Sequence, residues 1–193
     1  MIIFRKQYFH IKALRMLVAT NALILVAAAM LAPIQAIFVE KIGGNILDAG
    51  FAMAIFSLSA AVTVLLSGRM ADKYKRPDLV VMLGYIIMGI GFLLFLFASS
   101  VWFLFVIQII LGIGEAIYSP AFDAMYSKHL DKKNAGSQWS NWEAMNYLTV
   151  TGGAAVGGLI ADHFGFDALF IVMVLLAFFS ALYMIVLGKK SLL

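Results

Sequence analysis

Six apolar runs, at roughly 14–38, 48–68, 79–98, 101–126, 141–161 and 167–187, divide this 193-residue chain, and polar or charged stretches separate them. Each run is near or above the length needed to cross a bilayer, which is about 20 residues for a helix rising about 1.5 Å per residue. The strict alternation of a β-barrel strand is not seen. The pattern predicts an all-α membrane protein with six transmembrane helices. The third connection, around Ser99 and Ser100, is very short, so the third and fourth helices should form a tight antiparallel hairpin. Pro33 and Pro120 fall inside the first and fourth runs and should bend them, since each removes an intrahelical hydrogen bond. Ser140-Asn141-Trp142-Glu143 reads as a capping box opening the fifth helix.

Composition supports lipid as the solvent. The chain is 64% hydrophobic and only 12% charged, more apolar surface than a soluble domain of this size can hide. The charges are distributed unevenly. Thirteen of the fourteen lysines and arginines lie in the amino-terminal segment, the second and fourth loops or the tail, and only Lys41 lies on the opposite side. The positive-inside rule then places both termini in the cytoplasm of a multi-pass plasma (inner) membrane protein. The expected organisation is a cytoplasmic segment over 1–13, a six-helix unit over 14–187 and a cytoplasmic tail over 188–193. The basic start leads into an apolar run too long for a cleaved signal, so the first helix should be retained. The net charge of +4 fits anionic lipid headgroups and not nucleic acid. Cysteine is absent, and His10, His129 and His163 lie in loops without ligand spacing. No metal site and no cofactor is expected, and the chain is not expected to be an enzyme. It has no Gly-x-Ser-Gly run and no His-Glu-x-x-His motif.

A short pattern occurs twice. Gly68-x-x-Ala71-Asp72-Lys73-Tyr74 follows the second run, and Gly158-x-x-Ala161-Asp162-His163-Phe164 follows the fifth. Three helices separate the copies, so they fall on opposite membrane faces, and only the cytoplasmic copy is rich in bases. This is the signature of an inverted three-plus-three repeat, an architecture typical of secondary transporters.

Glu115 is the sharpest intramembrane candidate. It lies near the midplane of the fourth helix, where a carboxylate costs about 3 kcal/mol or more unless it faces a cavity, has a partner or is protonated. Two readings stand: a proton carrier or binder of cationic substrate, and a neutral glutamic acid hydrogen-bonded inside the bundle. Gly112 and Gly114 beside it leave room for close helix contact. Asn21, Gln35, Gln108, Tyr118 and Asn146 are uncharged polar residues within helices, suited either to substrate contact or to hydrogen bonds between helices. Small residues line the second helix at Gly50, Ala54, Ser57, Ala61 and Gly68, and the fifth at Thr149, Gly153, Gly157 and Ala161. Such stripes let backbones approach closely in lipid. Aromatic residues from Phe92 to Phe105 suit anchoring at the membrane interface.

Gly68 to Arg76 resembles the signature loop of the major facilitator superfamily, Gly-x-x-x-Asp-basic-x-Gly-Arg-basic, with Gly68, Asp72, Lys73 and Arg76 matching. Lys75 and Pro77 stand where the family usually has glycine and a base. Gly112 to Ala116 resembles its helix-four glycine pattern, Gly153 to Gly158 its helix-five motif, and Phe164 to Phe170 the usual start of its sixth helix. Two positions depart: Gln108 replaces an arginine that the family ties to proton coupling, and Ala154 replaces a proline tied to antiport. The resemblance implies half of a twelve-helix transporter that moves a small molecule by alternating access, with proton-coupled efflux among the modes. It implies that Asp72 meets a helix amino terminus of the other half, and that Asp72, Arg76 and Asp123 form one charge cluster. It also implies that Asn21, Gln35 and Tyr118 face the cavity, and that the two small-residue stripes form the seam with a second six-helix half or a second copy. The alternatives are a half-size carrier acting as a homodimer and a non-transporting membrane scaffold.

Overall fold

The computed structural model describes the backbone of residues 2–71, 76–131 and 133–191, and the side chains of 14–68, 76–131 and 133–186. Helix α1 spans Ile2–Leu31. Its helical backbone reaches back into the segment expected to stand apart over 1–13. Pro33 does more than bend the first run. Lacking an N–H and crowding the carbonyl four residues earlier, it tightens the chain into a 3-10 turn, Ala32–Ile34, before α2 resumes at Gln35–Lys41. Beyond α2, Gly43 adopts φ +85° and donates to the Glu40 carbonyl at 3.0 Å.

Helix α3, Ile46–Ala71, opens with a reciprocal cap. Asn45 Oδ1 accepts from the amides of Leu47 (2.8 Å) and Asp48 (3.2 Å), while Asp48 Oδ2 accepts from the Asn45 amide at 2.9 Å. The box expected at Ser140 does not form. The fifth run enters its helix at Ala135, after a turn in which Asn134 donates to Asp131, so Ser140 is already internal and its Oγ donates to the Gly136 carbonyl at 2.9 Å.

Helix α4, Pro77–Leu94, carries proline at its first position, where the missing N–H costs nothing. A 3-10 turn, Phe95–Phe97, and three further residues lead into α5, Val101–His129. Ser100 caps α5 by accepting from the Phe103 amide at 3.3 Å, and α5 runs on through Pro120. This is the expected hairpin. Helix α6, Ala135–Ser191, is interrupted at Gly165, whose φ of +83° and ψ of 172° belong to no helix. The chain reverses there. Before it, Gly153 lies against Val26 and Ala29 and Gly157 against Met30, following α1 in its own direction. After it, Phe170 meets Phe38 and Ser180 donates to the Thr20 carbonyl at 2.6 Å, running back along α1.

Among the described residues, five helical segments are long and apolar enough to cross a membrane, and the last covers 52 residues, Ala135–Val186. That last length is roughly twice what one crossing needs. The chain is thus an all-α membrane protein. Helix α1 packs on α6, and α4 packs on both α5 and α6. The inward stripe of the returning limb, Leu169, Met173, Ala177, Ser180 and Met184, has helical spacing and is buried. Helix α3 lies at the edge against α5, and of its described side chains only Ala52 and Ser67 are buried. Hydrogen bonds hold it: Ser67 Oγ donates to the Ala116 carbonyl at 2.6 Å and Ser59 Oγ to the Ile109 carbonyl at 3.3 Å. Aromatic clusters mark the two ends of the bundle. Phe38, Phe95 and Phe170 pack with centroids 5.0–5.6 Å apart at one end. Phe122, Tyr126, Trp139 and Trp142 pack at the other, where Tyr126 donates to the Gln138 carbonyl at 2.6 Å. The aromatics expected as interfacial anchors therefore divide: Phe92 and Phe95 are core, while Phe97 and Trp102 are exposed.

Candidate functional site

The break at Pro33 opens a cavity of about 140 Å³ beside α1 and α2. Its wall is mostly apolar: Met53 and Phe56 come from α3, Met88 and Phe92 from α4, Leu111 from α5 and Met173 from α6, with Phe95 following α4. Three polar side chains, Gln35, Gln108 and Glu115, also line it. Gln35 Nε2 is buried and has no hydrogen-bond partner among the described residues. Gln108 is 4% exposed and likewise makes no hydrogen bond among them. Glu115 makes no ion pair there. It is held at the cavity because the glycines beside it bring α5 close to two neighbours. A Cβ at Gly112 would lie 2.5 Å from the Phe56 carbonyl of α3, and one at Gly114 2.8 Å from Met88 of α4.

The other helix-borne polar candidates lie elsewhere. Asn21 is 2% exposed and accepts from Tyr85 Oη at 3.4 Å, joining α1 to α4. Tyr118 is buried with its ring centroid 4.9 Å from that of Tyr85. Both serve helix packing and neither lines the cavity. Gln108, expected both as a polar residue within a helix and as a departure from a motif, does line it. Its helical register beside Gln35 was not visible without the fold.

At the opposite end of α4, Asp72 and Lys73 lie outside the described residues. Gly68 has nothing within 4 Å of where a Cβ would sit. Arg76 forms two hydrogen bonds with Asp78, Nε to Oδ1 at 3.0 Å and Nη2 to Oδ2 at 2.7 Å, and these push its pKa up from the ordinary value. Asp78 is 3% exposed and was not singled out by sequence. Asp123 is exposed and makes no ion pair among the described residues. The described residues therefore pair Arg76 with Asp78 and not with Asp123.

The two small-residue stripes part company. Gly50, Ala54, Ser57 and Ala61 are exposed on α3, and nothing lies within 4 Å of Gly50. Gly153 and Gly157 are buried against α1, with a Cβ at Gly153 falling 2.8 Å from Ala29 Cβ. Thr149 and Ala161, half-buried, flank them. The α6 stripe expected at a seam is thus occupied by packing inside this bundle, because α1 reaches it first.

Comparison with known proteins decides the family. The sequence profile of the Major Facilitator Superfamily matches residues 17–191. The chain belongs to the Major Facilitator Superfamily. It is 23% identical over 171 residues to the multidrug resistance protein MdtG of Enterobacter lignolyticus, covering 86% of this chain and 41% of that protein. It is also 23% identical over 186 residues to MdtG of Escherichia fergusonii, covering 93% and 45% respectively. The chain thus spans under half the length of these curated relatives. Its fold is similar to that of the POT family transporter PepTSo, with a TM-score of 0.74 at 16% identity, covering 93% of this chain and 38% of that one. Membership in a family of membrane transporters accounts for the apolar helices and for a multi-pass chain in the bilayer.

Proposed function

We propose that this chain is a six-helix half of a secondary transporter that exports a small molecule by alternating access, coupled to protons through Glu115. The carrying observation is the cavity in which Glu115, without an ion-pair partner among the described residues, shares an apolar wall with Gln35 and Gln108. A lone carboxylate at that depth can exchange a proton for a cationic cargo, since the cavity favours one positive charge at a time. The name of the relatives, multidrug resistance protein, supports export as the direction. The reversal at Gly165 supports six crossings built as an inverted three-plus-three repeat, with Gly158–Phe164 the counterpart of Gly68–Tyr74. The distribution of lysine and arginine supports cytoplasmic termini.

The exposed small-residue face of α3 supports a partner there, either a second six-helix half or a second copy. Asp72, Lys73 and Arg76 at the neighbouring loop would lock one state against that partner. The test is flux from proteoliposomes loaded with amphipathic dyes, with and without an imposed pH gradient, for the chain alone and together with a complementary half. Gradient-accelerated flux that is lost in Glu115→Gln is expected. Absence of flux in both arrangements would remove the transporter reading and leave the scaffold.

A further inference from the structure

Two serines of α3 reach carbonyls of α5, and they do so differently. Ser59 Oγ lies 2.9 Å from the Phe56 carbonyl of its own helix and 3.3 Å from the Ile109 carbonyl of α5. Ser67 Oγ reverses the order, at 3.4 Å from its own Val64 carbonyl and 2.6 Å from the Ala116 carbonyl of α5. A hydroxyl has one proton to donate, so each serine serves mainly the nearer oxygen. Closeness of the helices does not set the choice. Near Ser59 they approach so tightly that a Cβ on Gly112 would fall 2.5 Å from the Phe56 carbonyl oxygen, yet there the hydroxyl stays with its own helix.

The two acceptors on α5 differ instead. In an α-helix the carbonyl of one residue accepts the amide of the fourth residue after it. Ile109 therefore has the amide of Ile113. Ala116 would take the amide of residue 120, which is Pro120 and has none. A buried carbonyl left open is costly, and in a membrane helix a serine hydroxyl from a neighbour can close it. Ser67, itself buried, does so. The bond sits at a junction. Gly68, the next residue of α3, opens the signature loop, and Pro120 divides α5 into the part bearing Glu115 and a limb over 121–129 that bears Asp123.

We infer that Ser67 is the positioning residue of a proline hinge in α5: its hydroxyl closes the carbonyl that Pro120 leaves open and so holds the limb over 121–129 against the end of α3. Turning about the Cα–Cβ bond carries the hydroxyl to Val64 and releases the limb. That the hinge serves transport rests on the transporter reading above; the bond and its dependence on Pro120 do not.

A double-mutant cycle on the full chain in lipid nanodiscs tests this without any flux measurement. Ser67→Ala should lower the unfolding midpoint by about 2–4 °C, and Ser67→Thr, which keeps the hydroxyl, should not. Ser59→Ala should cost under about 1 °C, since its hydroxyl mainly bonds back into its own helix. In the Pro120→Ala background, where residue 120 regains an amide, Ser67→Ala should cost no more than Ser59→Ala. Spin labels read the limb directly, because the chain has no cysteine to remove and Leu65 and Ser127 are both exposed. The distance between labels at these two positions should be narrowly distributed in the otherwise unaltered chain, broadened by Ser67→Ala, and narrow again with Ser67→Thr or with Ser67→Ala and Pro120→Ala together. Equal cost of Ser67→Ala with and without Pro120, or a distribution that Ser67→Ala leaves narrow, would overturn the assignment. Should Pro120→Ala not fold, the labels and the comparison of Ser67 with Ser59 decide the matter, and a larger loss at Ser59 would overturn it. Dye flux should fall about fivefold in Ser67→Ala and be kept in Ser67→Thr. Coupling in the cycle with no flux from any form would uphold the hinge while removing the transporter reading. Flux from a chain whose cycle shows no coupling would do the reverse.

Discussion

Arg76 holds Asp78 through a two-point hydrogen-bonded ion pair, and the carboxylate is only 3% exposed while the guanidinium stays near the surface. Asp78 is also in the first turn of α4, where the helix dipole favours an acid. Removing Arg76 would leave a buried carboxylate with neither partner nor water. Arg76→Ala and Asp78→Ala should therefore lower flux to a similar extent, on the order of tenfold, whereas Asp123→Ala should change it less than about twofold. Flux and thermal unfolding measured side by side decide it. A loss in Asp123→Ala as large as in Arg76→Ala would mean that Arg76 changes partner during the cycle.

That pair shows where sequence reading stops. The apolar helices, the α4–α5 hairpin and the choice of Glu115 as a candidate follow from hydrophobic run length and the cost of charge in lipid, which can be read along the chain without the fold. The partner of Arg76 depends on how the chain turns at Pro77, which brings residue 78 back toward residue 76. A motif learned from chains with a base after the arginine points to residue 123 instead. The capping box shows the same limit. Ser140 and Glu143 have suitable identities, but Asn45 and Asp48 sit where a helix begins. Asn21 and Tyr118 were legible as polar residues in helices, yet only the rotation of α1 and α5 about their axes decides between Tyr85 and the cavity.

The two glycine stripes give a paired prediction. A methyl group at Gly157 would collide with the Met30 backbone, whereas nothing lies within 4 Å of Gly50. Gly157→Ala must push α6 away from α1 and should cost about 1–3 kcal/mol. Gly50→Ala should be neutral or stabilising by up to about 1 kcal/mol, because alanine is the better helix former. Thermal unfolding in one detergent compares them. Similar losses at the two sites would show that α3 is as closely packed as α6.

Gly165 makes the reversal in α6 possible. Its φ of +83° with ψ of 172° is a region in which side-chain-bearing residues are rarely found, and nothing crowds the position. Gly165→Ala should therefore destabilise through the backbone alone, by about 1–3 kcal/mol. Gly165→Asn should not recover the loss, because the ψ lies outside the left-handed helical region that asparagine tolerates. Unfolding midpoints of the two variants settle this, and an asparagine variant as stable as the natural chain would mean that the reversal uses another conformation.

Pro33 sets the direction of Gln35. A 3-10 turn advances about 120° per residue against about 100° in an α-helix, so the three residues Ala32–Ile34 rotate α2 by roughly 60° relative to a continuous helix. They also lengthen the segment by roughly 1.5 Å. Pro33→Ala would remove the cause of the turn and let α1 run on into α2. The continuous helix should be more stable by about 1 kcal/mol, since a proline inside a helix costs up to about 3 kcal/mol and tertiary contacts already offset part of that. The same change would swing Gln35 away from Gln108 and Glu115 and narrow the opening beside the exposed Ala32 and Met53. The expected result is an unfolding midpoint that rises while ligand affinity and flux fall about tenfold. If midpoint and flux fell together, Pro33 would be holding the bundle together, and the orientation of Gln35 would have another origin.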